Sequence, residues 1–209
     1  MMRAFDDATR RNIEAACASF ARLPDATEPS ALKRAAVVLA LTASNDSDDT
    51  AFLLTRRASS LRSHRGQWAL PGGRCDTGET PVEAALRELD EELALKLPPD
   101  AVLGLLDDYP TRSGYLITPV VVWAANSAAM TPNPDEVASV HRIALDTIER
   151  DDAFDFTVIP ESSGRVIRFH HQMSLIHAPT AALIYQFREV LAGRQTRVTD
   201  LEQPVFAWK

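Results

Sequence analysis

Three glutamates at helical spacing, Glu88, Glu91 and Glu92, are the side chains in this sequence best suited to chemistry. Residues i, i+3 and i+4 of a helix share one face, so the three carboxylates would cover one arc. Like charges at this spacing repel by roughly 0.2–0.5 kcal/mol per pair, and the helix supplies only Arg87 as a nearby cation. The cluster is therefore either a solvated acidic face or a site that a divalent cation neutralises. Oxygen donors without an adjacent cysteine or histidine suit Mg²⁺ or Mn²⁺ better than zinc.

The element that must position these carboxylates is a helix that the sequence predicts to begin at Thr80. Thr80 and Glu83 form a capping box, and Pro81 occupies the first helical position. An apolar stripe at helical spacing is predicted to face the core, which leaves the glutamates on an exposed face. The stripe consists of Val82, Ala85, Leu86, Leu89 and Leu93. Gly72, Gly73 and Gly78 precede the helix and allow a loop to approach a ligand closely.

This segment resembles the Nudix box of the Nudix hydrolases. The pattern is Gly73, five residues, Glu79, seven residues, Arg87-Glu88-Leu89, one residue, Glu91-Glu92, one residue, and Ala94-Leu95. Each fixed position agrees except Ala94, where the family carries the glycine that ends the helix. Alanine there is expected to cost about 1 kcal/mol or to shift the helix end, but it removes no oxygen ligand.

The resemblance implies metal-dependent hydrolysis of a diphosphate linked to another group. It implies that Glu88, Glu91 and Glu92 hold Mg²⁺ or Mn²⁺, and that Glu79 is either a further ligand or positions the loop. Arg87, four residues before Glu91, would orient the carboxylates by ion pairing. Bound metal would neutralise phosphate oxygens and lower the pKa of the attacking water.

A basic stretch lies directly upstream, in an otherwise acidic chain of net charge −7. It is either a solvated loop or a place where guanidinium groups meet the phosphates of a substrate. The stretch resembles the second signature of the coenzyme A pyrophosphatase branch of the Nudix family, except at Trp68. The matching residues are Leu53, Leu54, Thr55, Arg57, Leu61, Arg62, His64, Gly66, Gln67, Pro71, Gly72 and Gly73.

The second resemblance implies cleavage of coenzyme A or acyl-CoA to 3′,5′-ADP and 4′-phosphopantetheine. Arg57, Arg62 and His64 are the candidates for contacting the phosphates, with Gly72 and Gly73 close to the substrate. Two alternatives stay open: a Nudix hydrolase of another nucleoside diphosphate such as ADP-ribose, and a non-catalytic Nudix-fold nucleotide sensor. Sensors usually lose box carboxylates, whereas this chain keeps Glu79, Glu88, Glu91 and Glu92.

Some candidates outside the two motifs have two interpretations each. Glu136 either approaches the metal from another loop as general base or is a solvated carboxylate at a strand entry. Trp68, Tyr109 and Tyr115 either stack on adenine or belong to the core. The remaining histidines receive no role: His141, His170, His171 and His177.

The rest of the chain predicts the scaffold. An amphipathic helix is expected at Asp6–Leu23, and a closing helix at Thr180–Ala192 with Gly193 at its end. Strands are expected at Arg34–Thr42 and Ala51–Thr55, as a hairpin, and at Ala101–Leu106, Leu116–Ala125, Glu136–Ile143, Phe154–Ile159 and Arg165–Phe169. The fold class is therefore α/β or α+β, and the resemblance makes it a Nudix-like α/β/α sandwich with a mixed sheet.

We expect residues 1–209 to form one Nudix domain, with an N-terminal helix and loop over 1–30 and the box over 72–95. No apolar run is long enough to cross a bilayer, and the acidic balance argues against duplex nucleic acid as a partner. Cys17 and Cys75 are expected as free thiols of a cytoplasmic protein whose partner is a small molecule. Whether two copies form a homodimer stays open.

Overall fold

A computed structural model describes residues 3–23, 31–45, 47–60, 66–125, 127–158 and 164–202. The helices in these ranges are α1 (Asp7–Ser19), α2 (Pro81–Leu93), α3 (Leu145–Glu149) and α4 (Thr180–Leu191). The strands are β1 (Lys33–Ala43), β2 (Thr50–Arg57), β3 (Trp68–Ala69), β4 (Gly72–Arg74), β5 (Val102–Leu105), β6 (Tyr109–Pro110), β7 (Tyr115–Trp123), β8 (Val137–Ala144), β9 (Phe154–Val158), β10 (Arg165–His171), β11 (Ser174–His177) and β12 (Leu201–Glu202). Within the described ranges, no helix is both long and apolar enough to cross a membrane.

The larger of two sheets is mixed and is centred on β1. Its main path runs β3-β2-β1-β7-β5, with β4 paired to β1, β6 to β7 and β8 to β2. β1 and β7 run parallel, whereas β1 and β2 form an antiparallel hairpin in which Leu41 lies opposite Phe52. The smaller sheet has the order β11-β10-β12, with β9 also paired to β10. The expected α/β class with a mixed sheet is confirmed.

Both faces of the central strand β1 are buried, as is typical of strands with apolar residues at successive positions. Ala36, Val38 and Ala40 pack with α2 on one face, where Leu89 and Leu93 are fully buried. Burial of each such leucine stabilises the fold by about 1.5–3 kcal/mol. On the other face, a second cluster combines large-sheet residues with residues of α1, α4 and the smaller sheet. Helix α2 therefore packs on one face of the central strands, and the smaller sheet packs on the other face.

The predicted elements exist, with differences at their ends. The first helix stops at Ser19 rather than Leu23, because Phe20 already adopts an extended conformation at the C-cap. The closing helix begins at Thr180 and its last helical residue is Leu191, one before the predicted end. Ile159, the last residue of one predicted strand, lies outside the described residues. The sequence did not predict β3, β4, β6, β11, β12 or α3, which are short and depend on pairing with distant segments.

Candidate active site

Helix α2 is fixed at both ends by local contacts. The Thr80 side chain accepts a hydrogen bond from the Glu83 amide, and the Glu83 carboxylate accepts one from the Thr80 amide, so the predicted capping box is present. The helix ends at Leu93 because Ala94 adopts a left-handed conformation, with φ 51° and ψ 34°. Alanine thus takes the backbone conformation that favours glycine, and the helix end is not shifted.

The glycine pair of β4 brings the backbone against the carboxylates of α2. Antiparallel pairing with β1 places Gly73 opposite Ala36, close to the last turns of the helix. The Gly72 amide donates to Glu92 Oε2 over 3.3 Å. A Cβ atom on Gly73 would lie 2.2 Å from Glu88 Oε1, so no larger residue fits unless that carboxylate moves. The absence of side chains at Gly72 and Gly73 is therefore what allows this close approach.

Arg87 is the centre of a network of charged hydrogen bonds. Its Nε donates to Glu79 Oε1 over 2.8 Å and its Nη2 to Glu79 Oε2 over 2.9 Å. Its Nη1 donates to Glu88 over 2.9 Å and to Glu91 over 3.1 Å, and Nη2 also reaches the Arg74 carbonyl. The bonds from Arg87 lower the pKa of Glu79, and the same bonds raise the pKa of Arg87. This guanidinium holds the loop before α2 and orients two carboxylates of the helix.

Glu92 is a buried carboxyl group, and its residue is only 3% exposed. The expectation of an exposed face is therefore wrong at this position, because β4 covers the last turn of α2. Burial raises the pKa of Glu92 to about 8; the Gly72 amide and Arg57 oppose the shift, while the charges of Glu88 and Glu136 add to it. Burial likewise raises the pKa of Glu88. Arg57 compensates little of the negative charge of an ionised Glu92, because its Nη1 lies 4.0 Å from Glu92 Oε1.

The loop before β8 ties Glu136 to the same place. The amides of Thr131 and Asn133 donate to the carbonyls of Leu93 and Glu92, which would otherwise lack partners at the end of α2. Glu136 follows three residues later, and its carboxylate lies 3.5 Å from the Asn133 side-chain amide. The loop thus provides hydrogen-bond donors for carbonyl groups at the end of α2, and it also places the Glu136 carboxylate close to that helix.

Glu88, Glu92 and Glu136 line one cavity of about 980 Å³. Its acidic wall contains Glu88, Glu92 and Glu136 beside Gly72 and Gly73. The remaining walls are basic, aromatic and neutral, from Arg56, Arg57, Gln67, Trp68, Arg74, Tyr115, Ile117 and residues 174–180. The Arg57 Nε is buried and has no hydrogen-bond partner within the part of the chain that the structure describes. The volume lies at the upper end of the roughly 300–1,000 Å³ range of ligand pockets.

The donor set of the acidic wall fits a hard divalent cation. Within the ranges described, no group of three or more His, Cys, Asp or Glu side chains converges on a common ion position as the side chains stand. Even so, the ligand atoms of this wall are all carboxylate oxygens, from Glu88, Glu92 and Glu136. The negative charges of these carboxylates repel one another, which helps to raise the pKa of Glu88 and Glu92. Oxygen-only sites of this kind suit Mg²⁺, which retains water ligands and needs few carboxylates from the protein.

The structure brings together most, but not all, of the predicted site residues. Arg57, Gly72, Gly73, Glu88, Glu92 and Glu136 line the cavity. Glu79 and Glu91 do not; both bond to Arg87, and the Glu91 side chain is 57% exposed. Arg62 and His64 lie outside the described residues.

Among the aromatic candidates, Trp68 and Tyr115 line the cavity, whereas Tyr109 is a core residue. The Tyr109 hydroxyl donates to the Leu201 carbonyl, so for Tyr109 the interpretation as a core residue is the correct one. Sequence reasoning missed the wall formed by residues 174–180, which includes His177. No charge pattern or motif marks that segment, and only its pairing with β10 places it at the cavity.

Comparison with known proteins gives consistent results. A model of the NUDIX domain matches residues 32–161, more than half of the chain. A protein named "Uncharacterized Nudix hydrolase NudL" from Pectobacterium atrosepticum is 38% identical over 152 residues, covering 68% of this chain and 76% of its own length. A protein of the same name from Photorhabdus laumondii is 34% identical over 140 residues, covering 66% and 75%.

Solved structures with the same fold are more distant in sequence. A MutT protein from Methanosarcina mazei Go1 superposes with a TM-score of 0.51 at 18% identity, covering 77% of this chain and 96% of that one. A MutT/nudix family protein from Enterococcus faecalis gives 0.50 at 18% identity, covering 90% and 73%. At these identities the likeness concerns the fold alone.

The mixed α/β fold is that of the solved Nudix-fold structures, which defines the structural class of the protein. With the family match over residues 32–161, the chain belongs to the Nudix hydrolase family. Enzymes of this family generally use divalent metal cations and act on small-molecule nucleoside diphosphates.

Proposed function

We propose that the chain hydrolyses the diphosphate bond of coenzyme A or acyl-CoA, giving 3′,5′-ADP and 4′-phosphopantetheine or its acyl form. One observation carries the proposal: Arg57 and Gln67, from the motif upstream of the Nudix box, line the same cavity as Glu88 and Glu92. The coenzyme A resemblance rests on that motif, so the position of Arg57 and Gln67 beside these carboxylates supports the proposal.

The acidic wall is proposed to hold Mg²⁺, with Mn²⁺ as the other candidate ion. Glu88 and Glu92 would be ligands from inside the cavity, and Glu91 a third ligand once it exchanges its contact with Arg87. Glu79 is assigned the positioning role, since it bonds both Arg87 and the Asp76 amide. When bound, the metal would neutralise phosphate oxygens and lower the pKa of the attacking water.

The other residues would bind and orient the substrate. The Nε of Arg57, which has no hydrogen-bond partner among the described residues, would donate to a phosphate oxygen. Arg62 and His64, which lie outside the described residues, are proposed to bind the phosphates as well. Arg87 would keep the carboxylates in position without touching the substrate. Glu136 is the proposed general base, because it lines the cavity with Glu88 and Glu92 and can accept a proton there.

The test is incubation of the protein with coenzyme A and Mg²⁺ in ¹⁸O-labelled water, followed by mass spectrometry of both products. We expect 3′,5′-ADP and 4′-phosphopantetheine, with the label in one of them only, which identifies the phosphorus that is attacked. ADP-ribose is assayed in parallel. Equal turnover of ADP-ribose would favour a general nucleoside diphosphate hydrolase instead.

Two variants of α2 separate the site from the rest of the helix. Glu92→Gln removes a proposed ligand and should lower kcat by orders of magnitude. Asp90→Asn removes an exposed carboxylate from a residue of the same helix that does not line the cavity, so its kcat should stay near the wild-type value. A similar kcat for both variants would contradict the proposed metal site.

A further inference from the structure

One guanidinium group of the cavity has no part in the proposed function. It belongs to Arg74, the last residue of β4, which lines the cavity and is exposed. The Arg74 carbonyl accepts a hydrogen bond from Arg87, but within the described residues its side chain forms no hydrogen bond and no ion pair. Arg57, in contrast, lies 4.0 Å from a carboxylate oxygen of Glu92. Arg74 is thus a cation at the cavity that no carboxylate of the described chain neutralises.

Strand register fixes the direction of the Arg74 side chain. A Cβ atom on Gly73 would point at the Glu88 carboxylate of α2. Because side chains alternate along a strand, Arg74 points to the opposite face of the sheet, as does its partner Ala35 on β1. Ala35 is paired in turn with Ile117 of β7. Arg74, Ala35 and Ile117 therefore form one row across the cavity floor, and all three line the cavity.

An aromatic ring and two hydroxyl groups lie next to this row. Tyr115 comes two residues before the β7 member of the row, so its side chain lies on the same face of the sheet. Its partner on β1 is Lys33, whose Nζ lies 5.9 Å from the centroid of the Tyr115 ring. Thr111 and Ser113 precede β7, and both line the cavity with Tyr115. We call this group the Arg74 end of the cavity; its members are Arg74, Thr111, Ser113 and Tyr115.

The Arg74 end differs in charge from the acidic wall. The carboxylates of the described cavity lining come from α2 and from the loop before β8. A guanidinium group without a carboxylate partner favours an anionic ligand group, and its planar donors suit a phosphate. A tyrosine ring offers a flat surface on which a nucleobase can stack. A nucleotide with a phosphate on its ribose has both of these groups, whereas a pantetheine arm has neither.

We propose that the Arg74 end is the subsite for the nucleotide half of the substrate, in which Arg74 binds the 3′-phosphate of the ribose and Tyr115 stacks on the base. This inference rests on the proposed function, in which the substrate carries 3′-phosphorylated adenosine on one side of its diphosphate. The diphosphate would lie between Arg57 and the carboxylates, so two separate cations would meet two separate anionic groups. Arg74 is then the residue that distinguishes coenzyme A from dephospho-coenzyme A, which lacks the 3′-phosphate.

The test measures binding without catalysis. Isothermal titration calorimetry on the metal-free protein uses 3′,5′-ADP and 5′-AMP, which differ only in the 3′-phosphate. Arg74→Gln should weaken binding of 3′,5′-ADP about tenfold and that of 5′-AMP by much less, because only the 3′-phosphate loses a charged hydrogen bond. Arg112→Gln is the matched control, since it makes the same change of charge between Thr111 and Ser113 at a residue that does not line the cavity.

A variant of the aromatic ring gives a different pattern. Tyr115→Leu should weaken binding of 3′,5′-ADP and 5′-AMP equally, by about tenfold, because both probes carry the same base. Unchanged binding of both probes would contradict stacking on Tyr115. Circular dichroism melting shows that the three variants fold.

Three results would overturn the 3′-phosphate subsite: no measurable binding of 3′,5′-ADP, equal losses of both probes in Arg74→Gln, or an equal loss of 3′,5′-ADP in Arg112→Gln. The second result would assign Arg74 to the phosphate that both probes share. Hydrolysis of coenzyme A by the wild-type protein separates these outcomes from the proposed function. Hydrolysis without a selective effect of Arg74→Gln refutes the subsite alone, whereas selective binding of 3′,5′-ADP through Arg74 without hydrolysis refutes the proposed function alone.

Discussion

Replacement of Glu92 by glutamine should stabilise the metal-free protein while abolishing its activity. The Glu92 carboxyl group is almost completely buried and accepts one hydrogen bond, from the Gly72 amide. A glutamine carbonyl oxygen can accept the same bond, and it carries no charge to desolvate. The substitution therefore removes a buried ionisable group at little cost in packing.

The size of the effect follows from the pKa of Glu92, which burial raises from 4.5 to about 8. The folded protein keeps this proton up to about pH 8, whereas the unfolded chain loses it above about pH 4.5. The free energy of unfolding therefore falls as pH rises between these values. At 1.36 kcal/mol per pH unit, the loss is about 3 kcal/mol at pH 7 and less than about 1 kcal/mol at pH 5. The free energy of unfolding of the Glu92→Gln variant does not fall in this way, because glutamine has no proton to lose in this pH range.

Urea denaturation in the presence of EDTA at pH 5, 7 and 8 measures the difference. The stability advantage of Glu92→Gln should grow from pH 5 to pH 8, with a midpoint of thermal unfolding about 6–12 °C above wild type at pH 7. Glu91→Gln is the matched control: its carboxylate is exposed, and loss of the contact with Arg87 should change stability by less than about 0.5 kcal/mol. Equal stabilities of Glu92→Gln and wild type at pH 8 would refute the argument from buried charge. Added Mg²⁺ should stabilise the wild type and not the variant.

Three further substitutions test the neighbouring contacts. Gly73→Ala places a Cβ atom 2.2 Å from Glu88 Oε1, so the carboxylate must turn away and kcat should fall by about 10²-fold or more with unchanged circular dichroism. Ala94→Gly relieves the left-handed conformation at the end of α2 and should raise the free energy of unfolding by about 1 kcal/mol in urea titrations; no gain would contradict the cost assigned to alanine. Arg87→Lys loses the two-pronged contact with Glu79 and should weaken Mg²⁺ binding about tenfold by calorimetry, whereas an unchanged affinity would show that Arg87 does not orient the carboxylates.

The sequence predicted helix α2 well because the signals that define it are local. The capping box at Thr80 involves residues three apart, and the apolar stripe is set by helical geometry alone. Leu89 and Leu93 are buried as expected. The link between Arg87 and Glu91 also follows from spacing within one helix.

The burial of Glu92 could not be predicted in the same way. Helical periodicity predicts that charged residues are exposed to solvent, unless another element is known to pack over them. Here β4 packs over Glu92. β4 contains two glycines and one arginine and lacks the β-branched or aromatic residues typical of strands, so the sequence did not predict it. Its place is set by pairing with β1, more than thirty residues earlier in the sequence. The raised pKa of Glu92 is thus a consequence of tertiary structure.

The acidic wall of the cavity and the wall formed by residues 174–180 are supported by different contacts. In the acidic wall, Glu92 is bonded to the amide of Gly72, and the loop that carries Glu136 is bonded to the end of α2 through the Asn133 amide. The wall formed by residues 174–180 depends instead on the pairing of β10 with β11 and on the contact of Thr180 with the Trp68 carbonyl. Substitutions at exposed positions of β11 therefore leave the carboxylates in place.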